Sequence, residues 1–285
     1  MLDDNPLLDN DHRAPIIGYH RAPLSQKFGA PRQPNLVALT SVIEMLAPYD
    51  TPAAFDGLDK FSYIWVSWQF HHNYRYKNNN ETSSRFRAQV RPPRLGGNQK
   101  IGVFASRSMY RPSGLGLSVV KLEQIKIVQG RVLLIVKGAD MIDGTPIIDI
   151  KPYVAYSDAL TQAESGFAPT APALLEVTMT EAAVEQFAML VSAGAPVDLN
   201  TGDASSGDAK KVAKSATVAA MVHNIQSQLI ASDISIIKEL IAQDPRPAYR
   251  RKEIATPFVM RYKSVDVSFQ LMASEQLQIT AVVTV

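Results

Sequence analysis

The stretch "LSVVKLEQIKIVQGRVLLIVKG", Leu117–Gly138, decides the fold class. It contains two apolar, β-branched runs separated by the turn "VQG", and short runs bounded by turn residues are typical of strands. Further runs of this kind are Tyr63–Phe70 ("YIWVSWQF"), Ile101–Ala105 ("IGVFA") and Pro146–Ile150 ("PIIDI"). Many short strands with little helical periodicity predict a mainly β protein whose N-terminal part, 15–160, is a closed or nearly closed β-barrel. One short helix is predicted there, at Ala38–Leu46 ("ALTSVIEML").

Outside the barrel, residues 1–14 are predicted to form a polar tail, and 161–285 a small α+β domain. Leu174–Met179 is typical of a strand, and Thr180 is a suitable N-cap for a helix with Val184, Phe187 and Val191 on one face. A second helix is predicted from about Val222 to Asp244, where Pro245 ends it. A hairpin of "VDVSF" and "LQITAVV" and a flexible insertion at about 196–215 complete the prediction.

Composition limits the classes of function. The chain has 285 residues, of which 46% are hydrophobic, so it can bury a core. Its formal net charge is only +2, so an affinity for nucleic acid must come from local clustering of cations. The absence of Cys excludes disulfides, cysteine metal sites and thiol nucleophiles. No secretory signal or membrane-spanning run is recognisable, which predicts a cytoplasmic protein without a membrane partner.

Arginines are concentrated in three loops that are rich in proline and glycine. Val90–Leu122 holds four of these arginines, and no acidic residue occurs between Glu81 and Glu123. The other two loops are "KFGAPRQP" and "AQDPRPAYRRK", and the second of these includes Tyr249, a candidate stacking platform. Arginine offers a rigid fork to phosphate or carboxylate, and a restrained backbone preorganises it. The pattern therefore favours anion recognition over a plain solvated face, and the three loops suggest one composite site.

Other motifs carry weaker signals. "GLG" at Gly114–Gly116 lacks the third glycine of a dinucleotide fingerprint, so a tight turn is the better interpretation. Adjacent strand residues point to opposite faces, so His71 and His72 make a poor metal clamp, and no metal site is predicted. Two interpretations of this histidine pair stay open. The two side chains pack against aromatic residues at the end of the strand, or they form hydrogen bonds at the rim of a pocket. Asp140 and Asp143 flank a turn, and the alternative to turn chemistry is a carboxylate near a reacting centre.

Five motifs in order resemble the TrmO family, also called YaeB or TsaA-like proteins. They are "KFGAPRQP", "FDGLDKFSYIWV", the stretch Val90–Leu122, "DGTPIIDIKPY" and "AQDPRPAY". The resemblance implies an S-adenosylmethionine-dependent tRNA methyltransferase with a TsaA-like β-barrel in place of the Rossmann-like fold. It also implies that the acceptor is N6 of N6-threonylcarbamoyladenosine, next to the anticodon of threonine tRNA. The resemblance further implies a homodimer with the cofactor near the subunit interface.

The resemblance also implies site residues. The family's cofactor-binding positions match Pro31, Arg32, Gln33, His71, His72, Arg107, Leu115, Asp140, Met141 and Ile142. Asp140 and Asp143 are the candidates for a proton acceptor. The residues expected to face tRNA are Arg91, Arg94, Arg111, Arg246, Tyr249 and Arg250, with Arg251 beside them.

Two positions depart from the family pattern. The family usually has His-Gln at His71-His72, and it usually has Pro at Gly114. These departures leave open an RNA-binding protein with a degenerate cofactor site. A methyltransferase with a different acceptor is a further alternative.

Overall fold

Six antiparallel strands close into a barrel in the first half of the protein. The computed structural model of the protein describes residues 14–72, 86–194 and 217–285, so the predicted insertion at 196–215 and nearly all of the predicted tail lie outside the described residues. The strands of this half are β1 (Gly18–Arg21), β2 (Thr40–Met45), β3 (Tyr63–Gln69), β4 (Gln89–Val90), β5 (Ile101–Gly102), β6 (Leu115–Val128), β7 (Arg131–Lys137) and β8 (Thr145–Pro152). The barrel order is β1-β2-β7-β6-β3-β8, and β4 and β5 form a separate two-stranded ribbon. The predicted barrel is confirmed.

The barrel interior follows from the period-two pattern of its strands. In β3, Ile64, Val66 and Trp68 are buried, while the residues between them are partly exposed. They pack with Val120 of β6 and Val136 of β7 in one apolar cluster. Alternating burial requires a fixed register, because a slip of one residue would turn every apolar side chain outward.

The predicted helix at Ala38–Leu46 is wrong: the segment contains β2, which pairs with both β1 and β7. The physical reason is burial on both faces. Ile43 packs inside the barrel, while Val42 packs against Val218 of a helix on the outside. A strand covered on both faces has a nearly continuous apolar run, which cannot be told from a helix by periodicity. The strand predicted at Ile101–Ala105 is also shorter, since a 3₁₀ turn replaces it at Val103–Ala105.

The second half is α+β, as predicted. It follows the short helix α1 (Ala155–Asp158), and its elements are β9 (Val177–Met179), α2 (Glu181–Gly194), α3 (Val218–Ser227), α4 (Asp233–Ala242), β10 (Phe258–Tyr262), β11 (Val265–Leu271) and β12 (Leu277–Thr284). The sheet order is β10-β11-β12-β9, so the predicted hairpin is present. Thr180 caps α2, because its Oγ1 accepts a hydrogen bond from the N–H of Ala183 at 3.2 Å. Val184, however, is 45% exposed and does not share the buried face of Phe187.

The single helix predicted from Val222 to Asp244 is two helices, α3 and α4. The break comes where an Asp233 carboxylate oxygen accepts a hydrogen bond from the N–H of Ile230 at 2.8 Å, which begins a new helix. The same residue is buried with Lys263 and Tyr262, whose side chains donate to it. A long-range polar cluster of this kind has no signal in local periodicity.

The two halves share a core. Leu24, Val37 and Leu39, from the loop between β1 and β2, are buried in the apolar cluster of the second half. This loop is thereby held between the barrel and α4. The contacts of Leu24, Val37 and Leu39 cross the predicted boundary between 15–160 and 161–285. The assignment of these two ranges as separate domains remains a proposal.

Candidate functional site

The predicted cofactor residues lie at one end of the barrel. Neighbouring antiparallel strands place the end of one beside the start of the next, and β3 ends at Gln69 opposite Leu115, where β6 begins. In the same way β7 ends and β8 begins at this end, with Asp140–Asp143 in the connection. The loop from β1 to β2, which carries Arg32 and Gln33, belongs to the same end. The topology therefore brings together segments that are far apart in sequence.

Arg107 and Gln33 are in direct contact. The Arg107 Nη1 donates a hydrogen bond to the Gln33 Oε1 at 2.5 Å, although the two residues are 74 positions apart. Arg107 is exposed and Gln33 is partly exposed. The contact joins the "PRQP" loop to the "ASRS" loop and orients a guanidinium whose remaining donors can meet an anion.

Asp140 ends a chain of buried hydrogen bonds. The Trp68 Nε1 donates to the Ser118 Oγ at 3.0 Å, and the Ser118 hydroxyl donates to the Asp140 Oδ1 at 2.5 Å. Burial raises the pKa of Asp140, and the Ser118 hydrogen bond and the charge of Arg107 oppose that rise only in part. Asp140 is therefore a carboxylate with an increased affinity for a proton.

Sequence reasoning missed Trp68 and Ser118. What connects these two residues is the pairing of strands and not a local motif, because Trp68 pairs with Gly116 in the β3–β6 register. A Cβ at Gly116 would lie 2.2 Å from the Trp68 ring, so only glycine lets the indole lie flat across β6. The "GLG" motif thus includes a glycine on which the Trp68 ring packs. This packing allows the Trp68 indole to donate to Ser118, which in turn donates to Asp140.

Asp143 is tied into the fold. Its Oδ1 accepts hydrogen bonds from the Ala22 N–H at 3.0 Å and from the Gln226 side chain of α3 at 2.8 Å. Its own N–H donates to the carbonyl of Leu24 at 2.7 Å. These contacts favour the turn interpretation for Asp143, and they leave Asp140 as the better candidate for a proton acceptor.

His71 and His72 lie side by side, with ring centroids 4.1 Å apart. The prediction that they point to opposite faces is wrong, because β3 ends at Gln69 and both residues lie in the turn beyond it. Burial lowers the pKa of His71, and His72 and Lys27 lower it further, against the charge of Asp143. His71 is therefore neutral at pH 7. Among the described residues, no group of three or more His, Cys, Asp or Glu side chains could hold a metal ion.

The remaining predicted cofactor residues differ in what they can offer. Met141 and Ile142 are buried, with 1% and 8% of their surface exposed, so only their backbone atoms can meet a ligand. Pro31 is buried as well, whereas Leu115 is 41% exposed and presents an apolar surface. Arg32 is turned toward the second half, where its Nη2 donates to the carbonyl of Asp244 at 3.2 Å.

The buried His20 forms a hydrogen bond to the backbone of the Asp140–Asp143 connection. It is fully buried, its Nδ1 donates to the carbonyl of Ile142 at 3.2 Å, and its Nε2 accepts from the Ser41 hydroxyl at 2.7 Å. Burial lowers the pKa of His20 to about 4, although Asp143 and the carbonyl of Ile142 favour the charged form and Arg21 does not.

The stability of the protein should therefore depend on His20 at acidic pH. The unfolded chain takes up a proton near pH 6.5 and the folded chain only near pH 4, so the contribution is complete above pH 6.5 and is lost as the pH falls toward 4. The full loss is on the order of 3 kcal/mol. Urea unfolding between pH 7 and pH 4.5 should show a smaller decrease in the free energy of unfolding for His20→Asn than for the wild type. Equal decreases would contradict the buried neutral imidazole.

Family models match both halves of the chain. The model of the tRNA-methyltransferase O N-terminal domain matches residues 19–159, and the TrmO C-terminal domain matches residues 209–285. The chain belongs to the TrmO family.

Relatives in the family cover nearly the whole chain. A Pseudomonas aeruginosa protein named putative S-adenosylmethionine-dependent methyltransferase RcsF is 35% identical over 90% of this chain and 91% of its own. The Escherichia coli K12 protein named tRNA (adenine(37)-N6)-methyltransferase is 32% identical, over 91% of this chain and 96% of its own. The crystal structure of TrmO from Pseudomonas aeruginosa matches with a TM-score of 0.65 at 27% identity, over 96% of this chain and 98% of that one.

One departure from the TrmO pattern has a structural explanation. Gly114 has a φ of +63°, in the left-handed region that proline cannot adopt. Its N–H donates to the carbonyl of Arg111 at 3.0 Å, a bond that proline would lack. The loop is therefore closed by a hydrogen-bonded turn at the point where the family usually has proline.

The three arginine loops lie next to one another. Arg32 contacts Asp244, Gln33 contacts Arg107, and a Cβ at Gly97 would lie 3.8 Å from the Cβ of Ala248. Among the residues predicted to face tRNA, Arg91, Arg94 and Tyr249 are exposed, and Tyr249 is exposed by 84%. Several are also held by the protein: Arg94 donates to the carbonyl of Thr170, Arg111 to that of Ser106, and Arg250 to Glu253.

The prediction that Arg246 faces tRNA requires correction. Only 1% of Arg246 is exposed, and it donates from Nε and Nη2 to the two carboxylate oxygens of Asp244, at 2.7 and 3.2 Å. Its guanidinium also lies over the ring of Phe258, at 5.9 Å. The ion pair with Asp244 holds the side chain inward, so Arg246 joins the end of α4 to the sheet and presents almost no surface to a ligand.

Proposed function

We propose that this protein transfers a methyl group from S-adenosylmethionine to N6 of N6-threonylcarbamoyladenosine, next to the anticodon of threonine tRNA. The enzyme class predicted from sequence, an S-adenosylmethionine-dependent tRNA (adenine-N6)-methyltransferase, is confirmed by the TrmO relatives. The proposal adds the modified acceptor and the particular tRNA. The observation that supports it best is the Arg107–Gln33 contact beside Asp140 at one end of the barrel.

The residues at this end fit the chemistry of the cofactor. Arg107 offers charged donors for a carboxylate, and Asp140 offers an acceptor for hydroxyl groups or a positive charge. The backbone of Met141 and Ile142 offers further polar groups, and the exposed Leu115 offers an apolar wall. When bound, S-adenosylmethionine supplies an electrophilic methyl group on a sulfonium. A neutral His71 adds no positive charge beside it.

The protein's own part in the reaction is positioning and proton transfer. Arg107, oriented by Gln33, binds the carboxylate, and this fixes the direction from which the methyl group is offered. Asp140 is the candidate that accepts the proton from N6, because its raised pKa strengthens it as a base and Ser118 orients it. The N6 proton belongs to a urea-like group and is more acidic than that of adenine, so a carboxylate suffices.

The exposed cations beside this site are proposed to bind the tRNA backbone. Arg91 and Arg94 are exposed members of this set, Arg111 and Arg250 are partly exposed members, and Tyr249 is an exposed ring for stacking. The target base lies in a single-stranded loop, where a base can be turned out and stacked. A homodimer and a cytoplasmic location remain predictions. Within the part of the chain that the structure describes, none of the helices has the length and apolar character of a membrane span.

Replacing Arg91 with Ala should weaken tRNA binding and lower its dependence on salt. Each phosphate contact releases counterions, so the slope of log K against log salt should fall by about one. Fluorescence anisotropy with labelled tRNA at several salt concentrations measures both quantities. Lys60→Ala is the matched control, because Lys60 is an exposed cation at the opposite end of the barrel. An unchanged affinity and slope for Arg91→Ala would remove Arg91 from the interface.

Two experiments separate the proposal from its alternatives. Calorimetry with S-adenosylmethionine tests for a degenerate site, since an RNA-binding protein without a functional cofactor site would give no binding even at about millimolar cofactor. Mass spectrometry of threonine tRNA from a deletion strain tests the acceptor. The doubly modified adenosine should be replaced by its unmethylated form, and its persistence would favour a different acceptor.

A further inference from the structure

Two aromatic side chains beside the candidate site are exposed to solvent. Phe104 is 66% exposed and Phe86 is 54% exposed. Their ring centroids are 6.1 Å apart, with an angle of 32° between the planes. Neither residue belongs to the cofactor or tRNA sets above. A contiguous exposed apolar surface is a candidate site of contact with a partner.

The protein holds this pair in place through the β4–β5 ribbon. Gln89 pairs with Gly102, and the N–H of Val103 donates to the carbonyl of Ala88 at 2.9 Å, so the chain on each side of the ribbon carries one ring. Val103 is 1% exposed and anchors the turn from which Phe104 projects. Phe104 thus lies in the 3₁₀ turn that follows β5, and Phe86 lies three residues before β4.

Cations surround the pair. The Arg111 guanidinium lies 5.6 Å from the centre of the Phe104 ring and also donates to the carbonyl of Ser106 at 3.2 Å. The Arg87 guanidinium lies 4.4 Å from the centre of the Tyr110 ring. Arg107, which contacts Gln33, follows Phe104 in the same turn. The described segment 86–122 has no acidic residue, so the charged side chains that this segment contributes around the rings are all positive.

We propose that Phe104 and Phe86 form a stacking platform for an unpaired base of the RNA substrate, adjacent to the acceptor nucleotide. This proposal rests on the proposed function, because it needs the acceptor to lie near Arg107. Aromatic rings flanked by arginines are the combination that binds single-stranded nucleic acid: the rings stack on bases and the cations bind phosphates. The platform keeps the loop open beside the site, so that the target adenosine can be turned toward Asp140.

The charge of this surface favours RNA over a second copy of the chain. A twofold contact places the same patch on both sides of the interface. Here it would set Arg87, Arg107 and Arg111 against their own copies, and like charges at an interface are unfavourable. A polyanion with exposed bases complements both the cations and the rings.

Binding of an RNA hairpin with the sequence of the anticodon arm tests the platform. Phe104→Ala should weaken binding by about 10-fold to 100-fold, the effect expected of one lost base stack, and Phe86→Ala by less. The slope of log K against log salt should stay at the wild-type value, in contrast to Arg91→Ala. Phe104→Trp should retain binding, and Tyr156→Ala is the control, because Tyr156 is 94% exposed on α1.

A second readout locates the contact on the RNA. 2-Aminopurine placed beside the target position should change its fluorescence on binding to the wild type and to Phe104→Trp, but not to Phe104→Ala. Light scattering on the same variants should give one molar mass throughout. Wild-type affinity for RNA in Phe104→Ala would overturn the proposal, and a lowered molar mass in that variant would show that the face joins two copies of the chain. Because these measurements need no methyl transfer, tight binding without methylation would count against the proposed function and not against the platform.

Discussion

Arg107→Ala is expected to abolish methyl transfer to tRNA without unfolding the protein. Arg107 is exposed and its side chain donates a hydrogen bond to Gln33, so little packing is lost when it is removed. A charge-assisted hydrogen bond to a carboxylate is worth about 1.5–3 kcal/mol, which corresponds to roughly 10-fold to 150-fold in cofactor affinity. Misalignment of the methyl donor should lower the rate further. Calorimetry and a methyl-transfer assay measure the two effects.

The controls for Arg107 separate charge from position. Arg107→Lys keeps the positive charge but loses the planar guanidinium that can bind a carboxylate through two hydrogen bonds. Compared with Arg107→Ala, we therefore expect this variant to recover part of the cofactor binding and little of the rate. Gln33→Ala removes only the orienting partner and should have a smaller effect than Arg107→Ala. Arg131→Ala, at the start of β7 and at the opposite end of the barrel, should behave as the wild type in both assays. Wild-type turnover in Arg107→Ala with an unchanged circular dichroism spectrum would contradict the site.

Arg246→Ala is expected to destabilise the protein by about 3 kcal/mol, since removal of one partner leaves a buried carboxylate poorly compensated. Asp244 keeps a contact with Arg251, at 3.3 Å, so the loss should lie at the low end for a buried pair. The cavity beside Phe258 adds to the loss. Chemical unfolding measures the change in the free energy of unfolding.

A surface pair provides the contrast for Arg246. Arg250→Ala breaks an ion pair with Glu253 that lies in contact with solvent, so its effect on unfolding should be much smaller. If Arg246→Ala instead unfolds like the wild type and loses tRNA affinity, then Arg246 turns outward when RNA binds. That result would restore the role that its sequence motif first suggested.

The fold was predictable where one local pattern decides an element. Turn-bounded apolar runs such as Leu117–Gly138 lead to barrel strands, and Thr180 caps its helix as expected. The prediction failed where tertiary contacts override the local pattern. Both faces of β2 are buried, so its sequence lacks the alternation of apolar and polar residues that identifies a strand. The break between α3 and α4 depends on Asp233, whose partners Tyr262 and Lys263 are distant in sequence.

The site was predictable as a set of segments but not as a set of contacts. The arginine loops do lie together, and Arg107 does contact Gln33. The chain from Trp68 through Ser118 to Asp140 needed the register of β3 and β6, which sequence alone does not provide. The inward turn of Arg246 depends on its ion pair with Asp244, which an arginine-rich motif cannot distinguish from an exposed cation.

Incubation of the purified protein with S-adenosylmethionine and threonine tRNA that carries N6-threonylcarbamoyladenosine tests the proposed function most directly. Nucleoside mass spectrometry should show one added methyl group on that adenosine with the wild type and none with Arg107→Ala. The same tRNA without the threonylcarbamoyl group should remain unmethylated. An unmethylated product with the folded wild-type protein, or equal methylation by Arg107→Ala, would contradict the proposed reaction at this end of the barrel.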